Sequence, residues 1–426
     1  MASSTLRDNS TRVTQWLCAI VFCIFAFSWL YFFQADVIAV TQHVLSGGAT
    51  TYNRLAGAVI ILLIALLMQL AIAAVTRQHR FTHALTYFPS FALIALISSS
   101  PTKLLEGQVC VSTTWTVVTA ILSLLWIIVM SVAHRSLPLF TSRMPQGLFS
   151  IQTTVSMVLL VAQMFYVAAT ANTHAVVHYR AAAEVHLRQG DVESALAVGQ
   201  SSLESDPSLT MLRAYALSCN GHLGDALFDY PVCGSGADLL PLQLSASRLL
   251  ILPADSLWAH LGVYPAIPLS TERYFTVCNS RLHSRRDSLT AHYAAELAEA
   301  RSIEAEELDS LIADSVRHVS QTDRQLRVLA DYRLCSYLID RRLDRFAQEL
   351  PTHYVIGDSL PRHYREALIV YRHTCSEPKV VYMNTILDED WRDLQQLLAM
   401  QSQSNDRQLQ LLSKYQGSYW HYYYSK

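Results

Sequence analysis

Long stretches without a charged residue occupy the amino-terminal part of this sequence and restrict what it can fold into. Residues 1–179 carry only 11 charged side chains, whereas residues 180–426 carry 55. A helix needs about 20 apolar residues to cross about 30 Å of hydrocarbon, and in lipid it satisfies its own backbone hydrogen bonds. We therefore predict an all-α protein, with a transmembrane helix bundle of about five spans in residues 1–175 and a soluble domain in residues 176–426.

Four of the predicted spans are long and continuous, and one is short. The short one, at residues 84–100, has Pro89 early in its apolar run. Proline lacks the backbone N–H that a helix interior requires, so this stretch is predicted to be kinked or re-entrant. The other spans are predicted near residues 14–34, 55–76, 111–133 and 150–171.

The positions of arginine and lysine predict the orientation of these spans. Positive residues collect in cytoplasmic loops next to membrane spans. Only Arg54 and Lys103 lie in one set of alternating loops. The other set, which includes the amino-terminal tail, holds Arg7, Arg12, Arg77, Arg80, Arg135 and Arg143. The amino terminus is therefore predicted to be cytoplasmic, and five crossings would place the soluble domain on the opposite side.

A repeat with the period of a tetratricopeptide hairpin occurs in the soluble half. Gly190-Asp191 and Gly224-Asp225 are 34 residues apart, and each follows a helical stretch and precedes an Ala-Leu pair. Glycine at the turn and proline after the second helix are typical of such repeats, whose stacked helices form a concave surface. The second copy is three residues shorter between its turn and Ala-Leu, so we predict a degenerate, tetratricopeptide-like helical domain.

The charge of the soluble half excludes a nucleic-acid surface. From residue 180 onward there are 24 basic and 31 acidic side chains, a net charge of −7. Acidic surfaces repel nucleic acid and anionic lipid. Within this half, residues 284–318 are predicted to form a solvent-exposed acidic helix or helix pair.

Two further features of the soluble half concern its carboxyl-terminal part. Asp358 precedes Ser359, Leu360 and Pro361, which predicts a helix start with a capping side chain ahead of the proline. Five aromatic residues crowd the last ten positions: Tyr419, Trp420, Tyr422, Tyr423 and Tyr424. This tail is predicted to dock on its own domain, with a return to the membrane interface or presentation to a partner as alternatives.

Several segments together resemble an uncharacterised family of bacterial inner-membrane proteins. The matching stretches are residues 34–36, 42–48, 52–54, 82–90, 208–213 and 358–368, and the aromatic end from Tyr415. The resemblance implies a bacterial inner membrane, a periplasmic soluble domain and the same membrane-plus-helical layout. It implies no activity, because none is assigned to the family. Residues 284–318 are longer and more acidic than expected for it and are predicted to be an insertion.

Candidate chemistry in the membrane half centres on the first loop, which contains Asp36, His43, Asn53 and Arg54. A carboxylate there is similar in layout to lipid-linked sugar transferases, in which an acid near the first span acts as base or metal ligand. The alternative interpretation is a charge that marks the interface or pairs with Arg54.

No other pattern predicts catalysis. The pairs His79/His83 and His174/His178 have helical spacing but lack a third ligand nearby, and the sequence contains no nucleotide-binding loop, zinc-protease motif or esterase motif. We predict no cofactor and no metal. The eight cysteines are interpreted as small buried hydrophobes, with a Cys219–Cys233 disulfide as the alternative.

The predicted function is therefore protein docking. The helical domain is expected to hold a protein of the cell envelope on a concave face that includes Tyr179, Arg213 and Leu217, while the spans contact the lipid bilayer. The alternative is a membrane-embedded transferase that acts on a lipid-linked substrate and uses Asp36.

Overall fold

The chain forms two compact helical units, residues 1–182 and 183–426. A computed structural model describes residues 2–76, 80–99, 102–136, 151–242, 245–265, 270–299, 305–399 and 414–425. Throughout these ranges the regular structure is helical. Helices therefore account for the core of each unit, as the sequence predicts.

The membrane unit contains four helices that are long and apolar enough to cross a bilayer, within the ranges described above. They are Val13–Phe33, Arg54–Thr76, Thr113–Val132 and Thr153–Thr170. The helices of this unit are α1 (Ala2–Ser28, continued by a π-helical turn Trp29–Phe33), α2 (Ala35–Leu45), α3 (Arg54–Thr76), α4 (Phe88–Ser98), α5 (Thr113–Ser136) and α6 (Ile151–Thr170). Large apolar side chains of α1, α3, α5 and α6 remain exposed, as expected for surfaces that face lipid.

The predicted span at residues 84–100 is not one continuous membrane-length helix. A 3₁₀ segment, Arg80–Tyr87, leads into α4, and Pro89 lies in the first turn of α4. The position of Pro89 explains why the helix begins there. A proline in the first turn of a helix removes no internal hydrogen bond, whereas a proline in the interior removes one.

This broken segment runs antiparallel to α3. Gln69 donates to Thr86 Oγ1 at 3.1 Å, and Ser90 Oγ donates to the Ala65 carbonyl at 2.6 Å. Ser98 lies at the carboxyl-terminal ends of α1 and α6, where it bonds to Trp29 Nε1 and the Asn172 backbone N–H. At about 2.0 Å per 3₁₀ residue and 1.5 Å per α residue, the segment is roughly 32 Å long, similar to a full span.

The carboxyl-terminal unit is built from helices of very different lengths that pack around one core. Its first helix, α7, spans Ala175–Arg188 and contains the boundary between the units. The remaining helices are α8 (Val192–Ala197), α9 (Pro207–Cys219), α10 (Leu223–Ala226), α11 (Ala254–Leu261), α12 (Thr271–Glu299), α13 (Ala305–Ile339), α14 (Leu343–His353), α15 (Arg362–Thr374), α16 (Thr385–Ala399) and α17 (Tyr419–Ser425). Helices α12 and α13 pack on each other, so residues 284–299 and 305–318 belong to a helix pair.

Three helical hairpins close with the same turn, at Gly190, Gly221 and Arg341. In each, the turn residue has a positive φ, and the next residue's N–H bonds to a carbonyl five residues earlier. This arrangement is the Schellman motif, in which glycine avoids the steric cost of the left-handed conformation. The turn that matches Gly190 is therefore Gly221 and not Gly224, so the equivalent turns are 31 rather than 34 residues apart. Arg341 makes the third turn without glycine, and its guanidinium donates to the Tyr422 carbonyl at 3.3 Å.

Gly224 and Asp225 instead join α10 to α15. A Cβ on Gly224 would lie 2.8 Å from the Tyr364 ring and 2.9 Å from Pro361 Cβ. Asp225 Oδ1 accepts the Arg362 N–H at 2.8 Å and so caps the start of α15. The predicted cap, Asp358, does not cap this helix, because its carboxylate accepts hydrogen bonds from Tyr382 and Asn384. The cap comes from a distant turn that the local sequence does not reveal.

The aromatic tail docks on its own unit, with Tyr419, Trp420 and Tyr422 buried. The buried carboxylate of Glu366 on α15 holds it: Oε2 accepts the Tyr419 N–H at 2.7 Å, and the backbone carbonyl accepts Trp420 Nε1 at 2.9 Å. His363 Nδ1 lies 3.1 Å from the same Oε2, while its Nε2 accepts the Phe228 N–H. Because Nε2 is an acceptor, the proton is on Nδ1 and is donated to Glu366.

Replacing Gly224 by alanine is expected to destabilise the carboxyl-terminal unit by about 1–3 kcal/mol, because the added methyl group overlaps Pro361 and Tyr364. The matched control is Gly357→Ala, since a Cβ there meets nothing within 4 Å. Thermal melting of the full chain in detergent should show a lower Tm for Gly224→Ala alone. Equal melting of the two variants would contradict the close packing.

Glu366→Gln is expected to lower the stability by about 2–3 kcal/mol, because the amide cannot accept all the hydrogen bonds that the carboxylate accepts. Burial by itself raises the pKa of Glu366, but hydrogen bonds from His363 and the Tyr419 N–H, together with Arg362, bring the net pKa below its ordinary value. The stabilisation is therefore present above the unfolded-state pKa and lost as the pH falls through the folded-state pKa. Melting from pH 7 to pH 3 should show a smaller pH dependence in Glu366→Gln than in Glu389→Gln, an exposed control on α16.

Candidate functional site

A cleft of about 680 Å³ opens in the carboxyl-terminal unit between α9, α11, α13 and the connection that precedes α15. We call it the arginine cleft. Polar, charged and apolar side chains share its walls, a composition typical of ligand sites. Its lining residues are Ser218, Cys219, Asn220, Gly221, Leu223, Asp225, His260, Arg324, Arg327, Val328, Asp331, Tyr354, Ser359 and Pro361.

A serine and a histidine form a hydrogen-bonded pair on one wall of the arginine cleft. Ser218 Oγ lies 2.8 Å from His260 Nε2, and the His260 ring packs edge-on against Tyr215. Burial, and then the positive charge of Arg324, hold the pKa of His260 below its ordinary value, which favours the neutral ring. The pair has the geometry of a nucleophile and base, but no carboxylate contacts His260 within the described ranges, and Ser218 is only 5% exposed. The arrangement therefore favours a structural contact that shapes the wall.

Asp331 lies at the base of the arginine cleft within a network of hydroxyl groups. Tyr354 and Tyr364 both donate to its Oδ1, the latter at 2.9 Å, and Tyr364 OH lies 3.6 Å from Cys335 Sγ. Burial raises the pKa of Asp331, although the two hydroxyl groups and Arg327 act in the opposite direction. The network fixes both tyrosine rings and so fixes the shape of the cleft.

Arg324 and Arg327 lie three residues apart on α13 and are both exposed. Arg327 is 5.6 Å from the centre of the Tyr354 ring. Neither guanidinium forms an ion pair within 4.0 Å in the part of the chain that the structure covers, whereas Arg286, Arg333 and Arg362 all do. These two arginines are the main positive charge of the cleft.

The residues of the predicted loop site in the membrane unit make separate structural contacts and do not form one site. Asn53 caps α3, because its Oδ1 accepts the Ala56 N–H at 3.0 Å, and Arg54 donates to the Tyr31 carbonyl at 2.7 Å. His43 lies in the last turn of α2 and accepts the Gly48 N–H through its carbonyl. Asp36 lies in the first turn of α2, and no ion pair within 4.0 Å joins it to Arg54, both residues being described.

Asp36 and Arg54 nevertheless both influence the pKa of Tyr52. Burial raises the pKa of Tyr52, Arg54 lowers it and Asp36 raises it.

An apolar cavity of about 630 Å³ lies beside α2 and is lined by one face of that helix, including Ile38, Gln42 and Leu45. Asp36 is not among the lining residues, so the carboxylate and this cavity do not form one site.

The predicted interaction face is not an exposed surface. Arg213 is 2% exposed and Leu217 is 3% exposed, while Tyr179 is half-buried in the other unit. Arg213 donates to the carbonyls of Val198 and Gly199, and its guanidinium lies 5.0 Å from the centre of the Tyr230 ring. The prediction was wrong for Arg213 and Leu217, because α9 is covered by the turn after α8 and by the 3₁₀ segment Gly236–Leu239.

Metal and disulfide chemistry have no support among the described residues. No group of three or more histidine, cysteine or acidic side chains is placed to hold a metal there. His178 Nε2 bonds to the Asn172 carbonyl at 2.8 Å, and His79 lies outside the described ranges. All eight cysteines are free thiols, and therefore Cys219 and Cys233 are not bridged.

Residues 284–426, about a third of the chain, match the model of a family of unknown function, DUF6057. Similarity to such a family is thus confirmed for the carboxyl-terminal part, including residues 358–368 and the aromatic end. The matched region includes Arg324, Arg327 and Asp331, but Ser218 and His260 precede it. It also includes residues 284–318, so the match gives no support to the predicted insertion. No curated protein and no solved structure matches the chain.

Removing the positive charge next to His260 is expected to raise the pKa of that imidazole toward its ordinary value of about 6.5. The test is Arg324→Gln in full-length protein with isotope-labelled histidine, titrated by NMR in detergent. Arg317→Gln is the control, since Arg317 is exposed on the same helix and pairs with Asp314. An unchanged pKa in Arg324→Gln would contradict the proximity of the two groups in the cleft.

Proposed function

We propose that this chain is a polytopic protein of the bacterial inner membrane whose carboxyl-terminal helical unit, a set of tetratricopeptide-like hairpins, binds a protein of the cell envelope from the periplasm. The arginine cleft carries this proposal. It is open, its volume is about 680 Å³, and its walls come from elements far apart in sequence. Stacked helical hairpins commonly use a concave surface of this kind to hold a peptide or partner domain.

The proposed periplasmic location depends on a fifth crossing. The four long helices would by themselves leave both ends of the bundle on one side. The broken segment 80–98 supports a fifth crossing, because it follows α3 in antiparallel direction and ends beside the carboxyl-terminal ends of α1 and α6. The six arginines in the amino-terminal tail and alternate loops support a cytoplasmic amino terminus.

A reporter fused after Lys426 tests this topology. Alkaline phosphatase is expected to be active at that position, because five crossings move the carboxyl terminus out of the cytoplasm. A fusion after Thr76, which should be cytoplasmic, serves as the matched inactive control. Inactivity at Lys426, whether or not the Thr76 fusion is active, would overturn the periplasmic location.

Docking in the arginine cleft is tested by photo-crosslinking in living cells. A photoreactive amino acid at Ser359, an exposed residue of the cleft, is expected to capture one defined envelope protein. The same amino acid at Val316, which is 61% exposed on α13 outside the cleft, should not capture it. Equal capture at both positions, or none at Ser359, would contradict docking in this cleft.

The transferase alternative depends on Asp36. In the present geometry Asp36 is separate from the apolar cavity beside α2, and Asn53 and Arg54 have structural partners. Docking is therefore preferred. Asp36→Ala separates the two functions, because a docking protein should retain capture at Ser359 whereas a transferase should lose its activity.

A further inference from the structure

The two unpaired arginines in the cleft indicate which kind of partner it takes. We propose that the arginine cleft binds an acidic peptide segment, with a carboxylate of the peptide held between Arg324 and Arg327. This inference rests on the proposed docking function and specifies the chemistry of the docked segment.

The charges of the cleft favour an anionic partner. From residue 180 onward, six arginines form an ion pair within 4.0 Å among the described residues: Arg286, Arg317, Arg333, Arg342, Arg362 and Arg372. Arg324 and Arg327 have none within 4.0 Å in the described ranges, although like charges three residues apart on a helix repel each other. A carboxylate placed between them would remove this repulsion and form charge-assisted hydrogen bonds to both guanidinium groups.

The size and composition of the cleft fit a ligand larger than a single anion. Its volume of about 680 Å³ lies within the range of pockets for drug-sized molecules and far exceeds that of a single inorganic anion. Pro361 supplies apolar contact surface next to the charged groups, and the buried residues Leu223 and Val328 complete this part of the lining. This combination fits a peptide segment with acidic and apolar side chains.

Two acceptors in the cleft distinguish a peptide from a phosphate group. Asp225 and Asp331 lie on the walls of the same cleft and are hydrogen-bond acceptors. The backbone N–H groups of a peptide can donate to such acceptors, whereas a fully ionised phosphate offers acceptors alone. The cleft therefore offers donors for a carboxylate and acceptors for peptide N–H groups.

The test uses full-length protein in phosphatidylcholine nanodiscs. The probe is a fluorescein-labelled octapeptide of alternating glutamate and leucine, and the matched probe has glutamine in place of glutamate. Fluorescence anisotropy is expected to show binding of the acidic probe at least tenfold tighter than that of the neutral probe. The double variant Arg324→Gln/Arg327→Gln should lose at least tenfold in affinity, and Arg324→Lys/Arg327→Lys should recover part of it.

The control variant is Arg285→Gln/Arg317→Gln, which removes two exposed arginines outside the cleft and should bind as the wild type does. Thermal melting checks that all variants are folded. Equal affinity for the two probes, or equal losses in both double glutamine variants, would overturn the inference. Displacement of the probe by pyrophosphate at lower concentration than by unlabelled acidic peptide, or by anionic lipid in the nanodisc, would indicate a phosphate site and overturn it too.

The two proposals can fail separately. If Ser359 captures an envelope protein but the acidic probe does not bind, docking stands and the acidic specificity is wrong. If the probe binds through Arg324 and Arg327 but Ser359 captures no protein, the cleft binds acidic peptide chemistry and docking to an envelope protein is wrong.

Discussion

The buried carboxylate of Glu366 holds the carboxyl-terminal unit together. It receives hydrogen bonds from His363 on its own helix, from Arg362 and from the backbone of the aromatic tail, and His363 in turn accepts an N–H from the turn after α10. A buried charge is costly unless it is fully hydrogen-bonded. Its three donors meet this cost only when α15 and α17 are assembled, and His363 links them to the α10 turn. Pro361, which directly precedes the helix that carries Glu366, lines the arginine cleft, so the same arrangement fixes one wall of the candidate site.

A comparable constraint governs the membrane unit, where unsatisfied backbone groups are costly. The 3₁₀ segment before α4 interrupts regular α-helical hydrogen bonding within the bundle. Side chains from neighbouring helices compensate: Trp126 donates to the Leu85 carbonyl and Gln163 to the Ala84 carbonyl. Phe91, Ile94 and Ala95 of α4 have no exposed surface. The irregular segment therefore packs against all four longer helices, and its buried residues Ala84, Thr86 and Tyr87 lie within the bundle.

The shape and the charge of the arginine cleft come from groups that overlap at one residue. The shape depends on the Asp331 network and the hairpin turn at Gly221, whereas the positive charge depends on Arg324 and Arg327. Arg327 also lies 5.6 Å from the centre of the Tyr354 ring and acts to lower the pKa of Asp331. The hydrogen bonds that hold the walls are nevertheless made by other residues, so the charge is set mainly by exposed side chains.

The sequence by itself determined the division into an apolar helical part and a charge-rich helical part, and it located the helix after Pro361, because these depend on composition, periodicity and local turn signals. It also located the weak span, since proline acts within a few residues. Only the tertiary structure decided that Gly224 is a packing contact and Gly221 the turn, that Arg213 and Leu217 are buried, and that Asp225 rather than Asp358 caps α15. Ser218 and His260, 42 residues apart, likewise meet only in the fold. These features depend on which distant elements touch, and no local pattern in the chain records that.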